Sequence, residues 1–134
     1  MSEREILFRG QTRRKGEKVR ISGEPVDSNW VYGGIFPGEG DFSIIYQTKP
    51  KIEKFTVYSD TVGQFTGLTD KNGTRIFEGD IVEYEGERYS INYLTRYARF
   101  SAVKPKTVFC VFAYQCGEVI GNIHDNPELL LKGE

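Results

Sequence analysis

One stretch constrains the fold more than any other: Val62 to Tyr84, V-G-Q-F-T-G-L-T-D-K-N-G-T-R-I-F-E-G-D-I-V-E-Y. It holds the clearest turn signal of the chain, Asp70-Lys71-Asn72-Gly73, with apolar and aromatic residues on both sides. Asn and Gly tolerate positive φ, so Asn72-Gly73 is expected to form a tight turn whose twist matches two right-twisted strands. A second turn, Glu78-Gly79-Asp80, follows the short run Ile76-Phe77 and feeds Ile81-Val82-Glu83-Tyr84. Three strand-like pieces joined by two tight turns form the expected centre of a small β-structure.

The flanks repeat this pattern. Strands are expected over Ile6–Gly10, Val19–Ile21, Trp30–Phe36, Phe42–Tyr46, Phe55–Tyr58, Arg88–Leu94, Thr107–Tyr114 and Glu118–Ile123. Gln11 to Lys18 reads as a polar, basic loop. The paired glycines Gly33-Gly34 suggest a bulge or a close backbone approach. Thr95 to Ala102 is open between strand and helical turn. At the far end Asn126 can cap a short helix, with Pro127 at its first position and Glu128 at the positive end of its dipole. Short strands with turns every 8–12 residues point to an all-β barrel or sandwich, in a single domain over residues 1–134. With 38% hydrophobic and 13% aromatic residues, the chain can build a core.

No apolar run approaches the ~20 residues that span a bilayer, and the start lacks the layout of a signal peptide. A cytoplasmic protein with no membrane contact is therefore expected. The net charge of −1 gives no global argument for nucleic acid, but the charges are segregated. Residues 1–20 hold seven bases against three acids, and residues 60–87 hold seven acids against Lys71 and Arg75. Residues 88–117 hold five bases and no acid. Such segments can pair within the fold or between subunits. Thr107 to Tyr114, apolar without alternation, reads as buried on both faces in the core or a subunit interface.

Candidate chemistry is sparse. Cys110 and Cys116 lack a metal-binding spacing and read as reduced core thiols. His124-Asp125 is a candidate proton-transfer pair only if the two side chains converge, and adjacent strand residues point apart. Glu83, Glu85 and Glu87 are expected on one solvent-facing strand side, and Asp80 as a turn residue bonding its own backbone. The glycines of V-G-Q-F-T-G do not make a phosphate loop. The basic, aromatic segment 88–106 offers Tyr93, Arg96, Tyr97, Arg99, Phe100, Lys104 and Lys106. Interleaved cations and rings can grip phosphates and stack on bases, whereas the plain reading is a basic edge with buried aromatics.

R-E-I-L-F-R-G (4–10), W-V-Y-G (30–33), T-V-G-Q-F-T-G-L-T-D-K-N-G (61–73), I-F-E-G-D-I-V (76–82) and E-V-I-G-N-I-H-D-N-P-E-L-L (118–130) occur in this order. With these pieces the chain resembles the YopX family, small proteins encoded mainly by phages and prophages of bacteria. The resemblance implies an all-β fold of several coiled antiparallel sheets, including an SH3-like barrel, and a homo-oligomer. It transfers no catalytic residue, cofactor or metal. Its signature residues (Gly63, Gly67, Asn72, Gly73, Gly79, Asp80, Gly121, Asn126 and Pro127) are also what a turn-bearing scaffold needs. The reading is a non-enzymatic, self-associating β-scaffold for a macromolecular partner, with nucleic-acid binding through segment 88–106 as the alternative.

Overall fold

A computed structural model describes residues 5–18, 23–104, 107–110 and 116–131, with backbone alone for 107–110 and 131. The chain divides into two units, Met1–Gln64 and Phe65–Glu134. Both are built from antiparallel strands, as the turn-rich sequence requires. The first carries β1 (Phe8–Arg13), β2 (Asn29–Pro37), β3 (Phe42–Gln47) and β4 (Glu53–Tyr58), then a 3-10 turn (Ser59–Thr61). β5 (Gly63–Thr69) begins at its end. The second carries the rest of β5, then β6 (Arg75–Phe77), β7 (Asp80–Tyr84), β8 (Glu87–Leu94), β9 (Arg99–Lys104), β10 (Thr107–Cys110), β11 (Glu118–Asn122) and the helix α1 (Glu128–Leu131).

In the first unit the strands lie in the order β4-β3-β2-β1, each antiparallel to its neighbour. Period-2 alternation puts Val31, Ile45 and Val57 on the inner face, fully or nearly buried, with Phe8, Ile35, Phe55 and Val62 packed around them. A Cβ built on Gly10 would lie 2.8 Å from Cγ2 of Val57, so β1 and β4 approach closely and the sheet curls over its core.

β1 starts and ends later than its apolar residues suggest. Ile6 is exposed and precedes the strand, while Gln11, Thr12 and Arg13 belong to it. The expected loop from Gln11 therefore begins at Arg14. These polar residues are tolerated because their groups are bonded: the Gln11 N–H donates to Thr61 Oγ1 at 2.9 Å, and Asn29 Nδ2 donates to Thr12 Oγ1 at 2.8 Å. The expected strand Val19–Ile21 lies outside the described residues.

The second unit contains a five-stranded sheet in the order β10-β9-β8-β7-β11. Ile76, Val82, Tyr89, Ile91 and Ala102 form its core, and each fully buried aliphatic side chain contributes about 1.5–3 kcal/mol. The outer strands β10 and β11 are not paired with each other among the described residues. Thr107–Cys110 is β10, but residues 111–115 lie outside the described ones, and with them the rest of the expected apolar run. Cys116 is exposed in a turn, not a core thiol.

β7 and β8 are joined by a two-residue turn that the sequence reading overlooked. Glu85 (φ 51°) and Gly86 (φ 80°) both take positive φ, the signature of a hairpin turn matched to strand twist. Glu83, Glu85 and Glu87 thus belong to one strand, the turn and the next strand, and share no strand face. Glu83 meets Arg88 at 3.3 Å, and Glu87 pairs with Lys104. With Arg14 on Asp60 at 3.0 Å, three acids of the segment pair with bases of their own unit.

The Asp70–Gly73 turn exists, with Asp70 rather than Asn72 in control. Gly73 alone in this turn takes positive φ (82°). Asp70 Oδ1 accepts the N–H groups of Asn72 (2.8 Å) and Thr74 (2.9 Å), and Oδ2 accepts that of Val119 in β11 (2.8 Å). The neighbouring Lys71 N–H donates to the Gly117 carbonyl at 3.0 Å. The second expected turn is present as well, with Asp80 Oδ2 accepting the Phe77 N–H at 2.7 Å. At the C-terminus Asn126 does not cap α1 with its side chain; Oδ1 turns back to accept the Asn122 N–H at 3.2 Å.

Burial pushes the Asp70 carboxyl up, but the three backbone N–H groups outweigh it and hold the group below its ordinary value of 3.8. The unfolded chain takes up its proton near that value and the folded chain only at lower pH. The stabilisation is therefore complete above the ordinary value and is lost as pH falls through the folded one. Asp70→Asn should cost about 1–3 kcal/mol at neutral pH. Denaturant titrations of both proteins should show this gap shrinking below pH 3.8. A gap that stays constant into strong acid would contradict the charged-acceptor account.

Candidate functional site

Two surfaces present side chains that the cores do not use. One is the tip of the β8–β9 hairpin. Thr95 to Ala98 is a turn: the Leu94 carbonyl accepts the Tyr97 N–H at 3.0 Å, and that of Thr95 accepts the Ala98 N–H at 3.2 Å. This resolves the ambiguity at Thr95–Ala102 into a turn followed by β9. Ala98 takes φ 51°, a conformation that costs a non-glycine residue of order 1 kcal/mol.

The seven candidate residues do not make one surface. Tyr93 and Phe100 are directly opposite in the ladder, and their rings meet edge to face with centroids 5.1 Å apart. They lie on the same side as Ile91 and Ala102, where the core face runs past the core. Arg99 points the other way, its Nε donating to Ser101 Oγ at 3.2 Å. Its guanidinium lies 4.8 Å from the centroid of Tyr97, and that of Arg96 lies 5.8 Å from the same ring. Arg96, Tyr97 and Arg99 therefore form one exposed cluster, and Tyr93–Phe100 another. Lys104 is four residues along β9 from Phe100, held by Glu87 and lying over Tyr89. Lys106 is outside the described residues. Arg96 and Arg99 are exposed and make no salt bridge to a carboxylate among the described residues.

The other surface is the outer face of β2, β3 and β4. Phe36 of β2 shares this face with Phe42, Ile44 and Tyr46 of β3 and Tyr58 of β4, while Tyr32 lies in the part of β2 that pairs with β1, opposite Arg9. Phe36 is 54% exposed, and Tyr32 and Phe42 are each 43% exposed. Phe36 packs edge-on against Tyr46 at 6.0 Å, and Phe42 against Tyr58 at 5.3 Å. One corner is closed: Arg14 stacks on Tyr58 at 4.1 Å, and the Tyr58 hydroxyl donates to Glu17 Oε1 at 2.9 Å. The Arg14 N–H and that hydroxyl together lower the Glu17 carboxyl, and the same carboxylate raises Tyr58. The part on β2 and β3 is apolar and aromatic, while β4 adds the exposed Lys54 and Thr56, on a sheet whose other side is already a core.

The Gly33-Gly34 pair aims this face. At Gly33 a Cβ would lie 2.1 Å from the Tyr46 carbonyl oxygen, while at Gly34 no atom lies within 4 Å. β2 pairs with β1 up to Gly33 and with β3 from Gly34 onward, so the expected close approach is real and sits at the first glycine. The third candidate, His124-Asp125, is a backbone device at least in part. Asn122 Oδ1 accepts both N–H groups, at 3.0 and 2.9 Å, and Asn122 Nδ2 donates to Asp125 Oδ2 at 3.2 Å. Asn122 was not singled out by sequence reading, although an Asn two residues before a turn is the usual Asx-turn signal.

The profile of the family described as YopX protein matches residues 38–131. No curated protein matches the chain. Among solved structures, the chain is similar to the crystal structure of protein EF1440 from Enterococcus faecalis. The two share 26% identity with a TM-score of 0.50, over 96% of this chain and 99% of that one.

Gly33→Ala should destabilise the protein by about 1–3 kcal/mol or more, because backbone must move to admit the methyl group. Gly34→Ala should change stability by less than about 1 kcal/mol. Thermal melts of the two variants check this; equal effects would mean that Gly33 is not the point of contact.

Proposed function

Because the chain belongs to the YopX family, we propose that it is a non-enzymatic accessory protein of the phage and prophage type. It acts in the cytoplasm of a bacterial host as a self-associating β-scaffold that binds a macromolecular partner. The observation that carries this reading is the two-sided first sheet, with a core on one face and open aromatic side chains on the other. Contiguous exposed apolar surface of this kind marks a contact with another macromolecule. The reading takes the second unit as the SH3-like element of the family. It is supported there by an antiparallel meander of four strands, β7 to β10, with β11 returning beside β7.

A second reading, nucleic-acid binding, is favoured by the Arg96–Tyr97–Arg99 cluster and its lack of carboxylate partners among the described residues. Two exposed arginines beside an exposed ring suit a phosphate and a stacked base.

Light scattering behind size exclusion, at roughly 100 μM protein, should give a mass that is a multiple of the monomer. A monomer throughout would overturn the scaffold reading. For the second reading, Arg96→Ala/Arg99→Ala should abolish any binding of a single-stranded oligonucleotide measured at low salt. Binding that survives this change, or that ignores salt, would remove the tip from consideration.

A further inference from the structure

We propose that self-association runs through the outer face of β2–β3–β4, in a twofold pairing that reverses strand direction; this inference rests on the scaffold reading above. The face carries its own polarity. At one end, the loop between β2 and β3 bears Glu39 and Asp41, both exposed. At the other, the loop between β3 and β4 bears Lys49 and Lys51, with Lys54 just inside β4, all exposed. Between these ends lie Phe36, Phe42, Ile44 and Tyr46. The carboxylates of Glu39 and Asp41 make no ion pair within 4.0 Å among the described residues, nor do the three ammonium groups.

Two copies of a sheet face can be related by a twofold axis along the strands or across them. An axis along the strands lays acidic loop on acidic loop and basic loop on basic loop. An axis across the strands lays each acidic loop on the partner's basic one. The charge reversal makes the face self-complementary in the second arrangement alone, and like-charge juxtaposition opposes the first. In that pairing the aromatic rows stack at the centre and the charges form the rim, the usual anatomy of a specific interface.

The dimensions set the strength. Three strands about 4.8 Å apart and about 20 Å long give a small face. It falls at the low end of specific contacts, so the pairing is expected in the micromolar range rather than the nanomolar. Its rim is exposed to solvent, so salt weakens it.

The test uses charge exchange in the full chain. Wild type, the acid-end variant Glu39→Lys/Asp41→Lys and the base-end variant Lys49→Glu/Lys51→Glu are measured alone and mixed, by sedimentation at roughly 100 μM. All four positions are exposed loop residues, and unchanged melting curves verify folding. Each variant alone places like charge on like charge and should dissociate at least about tenfold more readily than wild type. An equimolar mixture restores both rims and should associate as wild type does. Wild-type association that neither variant weakens would assign the contact to another surface while leaving the scaffold reading intact. A wild-type monomer at this concentration would overturn both.

Discussion

Asp70 ties together pieces of the second unit that are far apart in sequence. One oxygen closes its own turn on Asn72 and Thr74, and the other takes the N–H of Val119, 49 residues on. A buried carboxylate is costly unless it is hydrogen-bonded, and here three backbone donors bond it. A second bond, from the Lys71 N–H to the Gly117 carbonyl just before β11, supports the same junction between the turn and the strand. The Glu78–Asp80 turn adds a second tie. The Gly79 N–H donates to Ile91 at 2.7 Å, and its carbonyl accepts the Ile123 N–H at 2.8 Å. The sheet is thus fixed at its turns as well as along its ladders.

The first unit is organised by close approach. Gly10 lets β1 reach Val57, and Gly33 lets β2 cross beneath the Tyr46 carbonyl as it changes partners. The result is a strongly curled sheet with its small core inside. Its alternate residues, which a soluble sheet normally makes polar, are largely aromatic on β2 and β3. That departure from ordinary patterning is what points from fold to function, because no element of this unit uses those rings as core. The charges at the two ends then select how a second copy would lie.

Much of this was legible in the sequence. Asp-Lys-Asn-Gly announced its hairpin, Gly-Gly its backbone contact, and the alternation in F-S-I-I-Y its strand, because each signal is local and chemical. What failed was either non-local or directional. Gln11 read as loop because its burial depends on Thr61, fifty residues away. Glu85-Gly86 was hidden in an acidic run, since Glu rarely takes positive φ. The basic aromatic segment looked like one patch, yet the period of a strand sends Arg99 and Phe100 to opposite faces. The polarity of the outer face was written in G-E-G-D and K-P-K, but only the hairpin register shows that they cap the same stripe of rings.

Nitrogen–proton correlation spectra of the whole chain, recorded as the protein is concentrated, test the central claim most directly, because they locate contact residue by residue. The account predicts concentration-dependent shifts at Phe36, Phe42, Ile44 and Tyr46 and in the two charged loops that flank them. Spectra that do not change with concentration, or shifts confined to the second unit, would contradict it.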